Sequence, residues 1–270
     1  MTLIACCSGT VDAGIPTGAE GIIAGHKAYA ANPAQPTGNI LVIGTDVFGF
    51  TVQNPRLIAD RFAAEGYLCV APDMFKGTEP PADLMDTIFA MNSKDATFVQ
   101  TVTVVFRMLR YFPAFLFRNN ENSGIEIIKS FIADLKVSRR GNKWGGAIGI
   151  RLAQQPDIVD VVTATHPGGS LQFPHDAELI VKPIYFALAE IDQRIKEADC
   201  DSIKLALTQK NFEFEVEWFE GVQHGFAIRG SKNDEMCLRK ERRRWKVLLF
   251  LNAFLDNITF FNAKNSKASL

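Results

Sequence analysis

The sequence predicts an α/β fold in which a mostly parallel, doubly wound sheet carries helices on both faces. Residues 39–44 and 67–71 are short, continuous apolar runs bounded by turn residues, the pattern of strands buried on both faces of a parallel sheet. Between them, apolar residues repeat at helical spacing over residues 55–65, and Gly66 suits the end of that helix. Strand, helix and strand in this order predict a right-handed βαβ unit.

Further elements follow from the same patterns. An extended lead-in reaches residue 21, and an edge strand is predicted over residues 22–30. Helices are predicted at 80–91, 96–116, 125–135, 147–155 and 234–257, strands at 137–140, 158–165, 183–189 and 212–219, and a polar connector at 118–124. No repeat and no long linker interrupts the chain, so residues 1–270 are predicted to form a single domain.

Composition narrows the class of partner. The chain has 29 basic and 30 acidic residues and a net charge of -1, so no global field attracts nucleic acid or an anionic membrane. We therefore expect a small-molecule substrate and no cofactor, and we leave open whether the protein is a homodimer. The N-terminus lacks a basic segment followed by an apolar run, so secretion is not expected.

The cysteines also indicate a protein that is not secreted. Their number is odd, their spacing does not suit a metal site, and the first two are adjacent: Cys6, Cys7, Cys69, Cys200 and Cys237. We interpret them as reduced thiols in a cytoplasmic protein without a bound metal.

The central motif is Gly141-Asn142-Lys143-Trp144-Gly145-Gly146. It has the glycine spacing of a nucleophile elbow, the sharp strand-to-helix turn in which small residues must flank one strained side chain. A lysine stands where the nucleophile belongs. The strand at 137–140 is predicted only from its place before this motif, because Arg139 and Arg140 suit a buried strand poorly.

Two further polar residues follow predicted strand ends, and the chain order is Lys143, Asp192, His224. This is the order of nucleophile, acid and histidine in the α/β-hydrolase fold. The carboxyl ends of strands are also where open α/β sheets place their sites. We therefore predict Lys143, Asp192 and His224 as the catalytic residues.

Five segments together resemble the dienelactone hydrolase family of α/β-hydrolases, in its branch common in fungi, over nearly the whole chain: residues 45–49, 58–67, 71–75, 144–146 and 221–226. In that family the elbow reads Gly-x-Cys-x-Gly-Gly, and the cysteine attacks an enol-lactone carbonyl with help from Asp and His. The resemblance implies that Lys143 stands at the cysteine position. It also implies an oxyanion site near the N–H groups of Val47 and Trp144, with Asp46 where bacterial relatives carry a glutamate.

The lysine changes the chemistry that the resemblance implies. An acyl group on lysine would be an amide, which water cleaves very slowly, so turnover through an acyl-enzyme is not expected. As a cation, Lys143 could stabilise an enolate or oxyanion. As a neutral amine it could form a Schiff base or act as a base, although Asp46 would oppose its deprotonation. We favour the cationic role. The other possibility is a decayed elbow in which Lys143 pairs with Asp46 or points to solvent, which would leave a pseudoenzyme.

Further residues are predicted to bind substrate. Phe48 follows Val47, and His166 follows a predicted strand end, where it either lines the pocket or bonds within a turn. The apolar stretch 98–117 either belongs to the core or walls a lipophilic pocket in which Arg107 or Arg110 holds a carboxylate or enolate oxygen. Proton transfer by His224, oriented by Asp192, together with a cationic Lys143 favours a cyclase, isomerase or lyase acting on an enolisable, polyketide-like metabolite of secondary metabolism. The alternatives are a weak lactone or ester hydrolase with water activated by His224, and a non-catalytic binding protein.

Overall fold

The structure is a computed structural model that describes residues 14–84, 97–119, 121–134, 141–144, 146–168 and 170–229. Its strands are β1 (Ala19–Ile23), β2 (His26–Ala31), β3 (Ile40–Ile43), β4 (Leu68–Pro72), β5 (Gly141–Trp144), β6 (Val162–Thr165), β7 (Ile184–Ile191) and β8 (Phe214–Gln223). Its α-helices are α1 (Asn54–Ala63), α2 (Phe98–Arg118), α3 (Glu121–Asp134), α4 (Gly146–Ala153), α5 (His175–Glu178), α6 (Glu197–Thr208) and α7 (Phe226–Arg229).

The strands form two hydrogen-bonded sheets, ordered β1-β2-β4-β3-β5 and β6-β7-β8. The strands β5 and β6 pack side by side, so the two sheets continue one another. The pairs β3–β4, β3–β5, β6–β7 and β7–β8 are parallel, whereas β1–β2 and β2–β4 are antiparallel. The mostly parallel sheet predicted from the sequence is confirmed.

Successive side chains of β3 lie on opposite faces of the sheet, and this explains why its apolar run is continuous. Ile40 and Val42 pack on one face of the sheet with residues of α3, α4 and α6, while Leu41 and Ile43 pack on the other face with α1. Because helices cover both faces, every residue of the strand is buried. Each such aliphatic side chain contributes about 1.5–3 kcal/mol by leaving water.

The predicted edge strand over residues 22–30 is wrong in one respect, because the structure has a β1–β2 hairpin there. Ala24 and Gly25 connect the strands with φ angles of 48° and 73°. Two positive φ angles in a row are what a two-residue hairpin turn of the favoured hand requires. Glycine adopts that angle easily, but alanine at the first position gave no such signal.

Helix α2 confirms the helix predicted at 96–116. A capping box starts it: the Thr97 hydroxyl accepts from the Gln100 N–H at 3.3 Å, and the Gln100 side chain accepts from the Thr97 N–H at 2.8 Å. It ends at Asn119, whose N–H donates to the Phe115 carbonyl. No described helix is long and apolar enough to cross a membrane.

Helix α3 begins earlier than predicted and takes in the second half of the expected polar connector. Its first turn is polar, and Ile125 and Ile128 are the first residues that reach the core. Gly124 lies close to the core there, since a Cβ atom would lie 2.8 Å from the terminal Cδ1 of Ile148. The predicted strand 137–140, most of the helix 80–91 and the helix 234–257 lie outside the described residues.

Candidate functional site

Asp192 and His224 form a hydrogen-bonded pair at the carboxyl end of the sheet. Asp192 follows β7 and His224 follows β8, and these strands are parallel neighbours. His224 Nδ1 lies 2.7 Å from Asp192 Oδ2, and the His224 N–H donates to the Ile191 carbonyl at 3.0 Å. The side chains are 11% and 2% exposed. The structure thus brings together the two residues that the sequence placed at separate strand ends.

The surroundings of Asp192 keep it ionised. Its Oδ1 accepts the N–H groups of Arg194 at 2.8 Å and Ile195 at 3.4 Å, which leaves Oδ2 for His224. Burial acts to raise the pKa of Asp192, but the hydrogen bonds from His224 and from these two N–H groups outweigh it, and the pKa lies below its ordinary value. An ionised Asp192 favours a proton on His224 Nδ1 and leaves Nε2 as the reactive nitrogen.

His166 lies directly against this pair. It follows β6, it is buried, and its φ of 39° is strained for a residue with a Cβ atom. Its ring centroid is 5.0 Å from that of His224 and 5.7 Å from that of Phe226. Its N–H donates to the Ala187 carbonyl. The sequence placed His166 at the pocket, but it gave no role to Phe226, which follows His224 by two residues.

The elbow motif reaches the same edge of the sheet by close packing. A Cβ atom on Gly146 would lie 2.4 Å from Pro167 Cα, so only glycine lets α4 begin this close to the loop after β6. The next residue of that loop, Gly168, would place a Cβ atom 3.7 Å from His224 Cε1. Contacts therefore lead from the end of the elbow through this loop to the histidine.

The structure describes the strand before α4 only over the motif itself, because the predicted strand 137–140 lies outside the described residues. Strand β5 is formed by Gly141–Trp144 itself and pairs with β3, with Lys143 opposite Val42. Pairing with the four residues of β3 fixes this register, so Lys143 belongs to the strand end and the turn follows Trp144. The side chains of Lys143 and Trp144 lie outside the described part of the structure, so their predicted roles stay predictions.

Replacing Gly146 with alanine should destabilise the fold because the new methyl group would meet backbone rather than a flexible side chain. Overpacking of this kind costs about 1–3 kcal/mol of the free energy of unfolding. Gly21→Ala is the matched control, since a Cβ atom there meets nothing within 4 Å. Urea denaturation should show a loss for Gly146→Ala and none for Gly21→Ala. Equal stability of the two variants would contradict the close approach at Pro167.

The loop after β3 holds Asp46, Val47 and Phe48. Asp46 Oδ1 accepts the Phe48 N–H at 3.0 Å, and the Asp46 carbonyl accepts the Gly49 N–H at 2.9 Å, so Asp46 builds this turn. The Phe48 side chain is fully buried in an apolar cluster with α2, and Val47 is half-buried. Phe48 thus anchors the loop in the core, and the role of the Val47 backbone in an oxyanion site stays a prediction.

Arg107 and Arg110 occupy different surroundings on α2. Arg107 Nη2 lies 2.7 Å from Asp83 Oδ2, and the Asp83 side chain is 67% exposed. The Arg110 guanidinium lies 5.6 Å from the ring centroid of Tyr111. These described contacts place Arg107 in a surface ion pair and Arg110 against its own helix, so a role for either in substrate binding stays a prediction.

A cavity of about 280 Å³ adjoins the Asp192–His224 pair. Its lining is Pro167, Gly168, Leu171, Gln172, Phe173, Arg194, Ile195 and Asp199. Gly168 borders His224, and the N–H groups of Arg194 and Ile195 hold Asp192, so the cavity and the pair share walls. Apolar and polar groups alternate around it, which suits a small molecule with an apolar body and a few polar atoms. The sequence did not identify this cavity.

The described residues contain no cluster of His, Cys, Asp and Glu side chains suited to a metal ion. Cys69 and Cys200 are free and buried. Burial, and then the charge of Asp60, raises the pKa of the Cys69 thiol, so this cysteine is a core residue and not a nucleophile.

Comparison with known proteins places this site in a family. The model of the dienelactone hydrolase family matches residues 26–255. Among curated relatives, hydrolase pyvD of Aspergillus violaceofuscus is 27% identical over 231 residues, covering 85% of this chain and 83% of its own. The carboxymethylenebutenolidase homolog of Mus musculus is 29% identical over 243 residues, covering 85% and 88%.

Solved structures agree on the fold. A protein from Klebsiella pneumoniae assigned to the dienelactone hydrolases aligns with a TM-score of 0.60 at 17% sequence identity and covers 87% of this chain and 98% of its own. The family match spans most of the chain and includes Asp192 and His224. The protein therefore belongs to the dienelactone hydrolase family and has the α/β-hydrolase fold.

Proposed function

We propose that this protein is a non-hydrolytic acid–base catalyst of the cyclase, isomerase or lyase type. Its substrate is a small, lipophilic, enolisable carbonyl compound of secondary metabolism, such as a polyketide-like metabolite. One observation carries the proposal: the buried Asp192–His224 pair is assembled. The family resemblance adds that Lys143, near the end of β5, stands at the position of the family's nucleophilic cysteine. General acid–base chemistry is retained, and the covalent route is lost.

His224 does the proton chemistry. Its Nε2 removes a proton from the carbon next to the substrate carbonyl, and the same proton returns to another carbon or to a departing oxygen. The negative charge moves meanwhile to the carbonyl oxygen. Asp192 holds the imidazole in the required tautomer and stabilises it while it is protonated.

Lys143 provides a positive charge beside the substrate during this proton transfer. A lysine ammonium beside the developing enolate oxygen would stabilise it by a few kcal/mol, roughly the contribution of one donor in an oxyanion site. The backbone at Val47 is a second donor to the same oxygen. No bond between Lys143 and the substrate is required, which avoids an amide that water could not remove in useful time.

The cavity beside the pair supports the proposed substrate class. Leu171, Phe173 and Ile195 offer apolar surface, while Gln172 offers a polar group. A carbonyl compound with its reactive carbon near His224 and its apolar body in this cavity satisfies both kinds of group.

A second function is hydrolysis of a lactone or ester by water that His224 activates directly. The names of the relatives favour it, since pyvD of Aspergillus violaceofuscus and tropI of Talaromyces stipitatus are both called hydrolases. A third is a binding protein that uses the same cavity without turnover.

Two probe reactions separate these functions. We expect the protein to catalyse deuterium incorporation beside the carbonyl of 2-methyl-1-tetralone and related ketones in D₂O, followed by proton NMR. We expect no hydrolysis of p-nitrophenyl butyrate or of simple enol lactones. His224→Ala should abolish the exchange, and Lys143→Met should slow it by about 10²-fold, the usual effect of losing one oxyanion donor.

Other outcomes point to the alternatives. Ester or lactone hydrolysis without exchange would favour water activation by His224, and binding of the ketones without either reaction would favour a binding protein. Full exchange activity in Lys143→Met would contradict the role of the cation. Borohydride added during the reaction should leave no adduct on Lys143; a stable adduct would show a Schiff base instead.

A further inference from the structure

Helix α2 has a second apolar face that points away from the core. Seven large apolar side chains on it are exposed, from 46% at Val105 to 89% at Phe117. They are Phe98, Val99, Val102, Val105, Phe106, Leu109 and Phe117. At about 100° of rotation per residue, all seven fall within roughly one third of the helix circumference. We call this set the α2 outer stripe.

The inner face of the same helix is already packed. Val104, Phe112 and Phe115 are buried in a cluster with Phe48 and Val52. A helix on the surface of a soluble domain needs one apolar face, and apolar residues around most of its circumference indicate that the second face is covered as well.

The size of the stripe indicates a protein partner. Seven such side chains, each about half to nine-tenths exposed, present roughly 800 Å² of apolar surface. This area exceeds that of the largest apolar patch on an ordinary monomer, which is about 300–600 Å². It equals the surface area that one partner contributes to a standard protein interface.

We infer that the α2 outer stripe is the contact between two copies of this chain. A two-fold axis places the same patch on both sides, so the stripe of apolar ridges on one helix packs against the same stripe of the second copy. The net charge of -1 supports self-association, because chains with little net charge do not repel one another.

Charge argues against a lipid surface as the occupant. A helix that lies on an anionic membrane carries several free cations along the border of its apolar face. On α2, Arg107 is paired with Asp83, and Arg110 lies over Tyr111. The described border also includes the uncharged, exposed Thr101 and Thr103.

The dimer has a consequence for the site. The inner face of α2 holds Phe48, and Phe48 anchors the turn that Asp46 builds below the backbone of Val47. Fixing α2 between its own core and a second copy therefore also fixes this loop, which the proposed function places beside the substrate.

The test measures the mass of the full-length protein by sedimentation equilibrium from 1 to 100 µM. We expect the natural chain to have about twice its chain mass of 29.9 kDa. Leu109→Glu should weaken the dimer by roughly 100-fold or more, because two charges would enter the apolar contact. Circular dichroism should show an unchanged fold.

Leu205→Glu is the matched control. Leu205 lies on α6 and, like Leu109, is 68% exposed, but it is not part of the α2 outer stripe. It should remain dimeric. A monomeric natural chain, or a Leu109→Glu variant as dimeric as Leu205→Glu, would overturn the inference. A monomer that binds phosphatidylcholine vesicles through the stripe would assign it to lipid instead. None of these outcomes depends on the proposed reaction.

Discussion

Replacing Lys143 with cysteine should create hydrolysis of p-nitrophenyl butyrate at a rate about 10²-fold or more above that of the natural chain, the contribution of a positioned general base. The acid–histidine pair that such hydrolysis needs is assembled: His224 is held by Asp192 at the carboxyl end of β8, and β5 ends at the same edge of the sheet. A thiolate attacks an activated ester readily and later leaves the acyl-enzyme, whereas a lysine does not.

The gain in ester hydrolysis should depend on the Asp192–His224 pair. Lys143→Cys combined with His224→Ala should lose most of the new activity, and Lys143→Ala should show none. Intact mass measured within the first turnover should reveal one butyryl group on the introduced thiol. The buried Cys69 should stay unmodified, because burial raises the pKa of its thiol. A cysteine variant that is neither acylated nor active would show that position 143 does not face His224.

The sheet and the acid–histidine pair could be predicted because each depends on a local rule. Strand β3 is continuously apolar because both of its faces are covered, and the carboxyl ends of parallel strands meet at one edge. The second rule, together with the chain order of the α/β-hydrolase fold and the family resemblance, was enough to bring Asp192 and His224 together, although 32 residues separate them in the chain. The spacing of the elbow glycines likewise marked the close approach at Gly146.

The features that were not predicted depend on contacts between distant parts of the chain, which no local sequence pattern indicates. The turn at Ala24 needs a positive φ that alanine does not signal, so the β1–β2 hairpin was missed. The position of β5 is fixed by pairing with β3 and not by its own residues, which include a glycine and a lysine. The contact between the rings of His166 and Phe226 joins the loop after β6 to the start of α7, which are far apart in the chain. Long-range packing of this kind can be seen only in the fold.

Replacing Asp192 with asparagine should lower the proton-exchange activity by about 10²–10⁴-fold, the range expected when a general base loses its orientation and its correct tautomer. The amide can offer its NH₂ group toward His224 Nδ1, which favours the tautomer with the proton on Nε2. The nitrogen that should accept the substrate proton is then blocked. The cysteine variant at position 143 should lose its ester hydrolysis by a similar factor when it also carries this change.

Asp201→Asn provides the control, since Asp201 is an exposed carboxylate on α6. It should retain full activity. Folding is checked by urea denaturation, because the Asp192 side chain is buried and accepts two backbone N–H groups. An Asp192→Asn variant that is folded and fully active would show that His224 does not need an anionic partner.

The stability of the same variant should change with pH in a defined direction. The pKa of Asp192 is lower in the folded protein than its ordinary value, so the unfolded chain takes up its proton first as the pH falls. The stabilising contribution of the carboxylate is therefore complete above about pH 4, the ordinary range for aspartate, and is lost as the pH falls through the folded-state pKa. The free energy of unfolding of the natural chain should exceed that of Asp192→Asn just above about pH 4, and the difference should shrink as the pH falls further. Asp201→Asn should show no such convergence.

A difference in the free energy of unfolding that stays constant down to pH 2 would mean that Asp192 is not held as a carboxylate by His224 and the backbone. The catalytic role proposed for the pair would then lose its electrostatic basis.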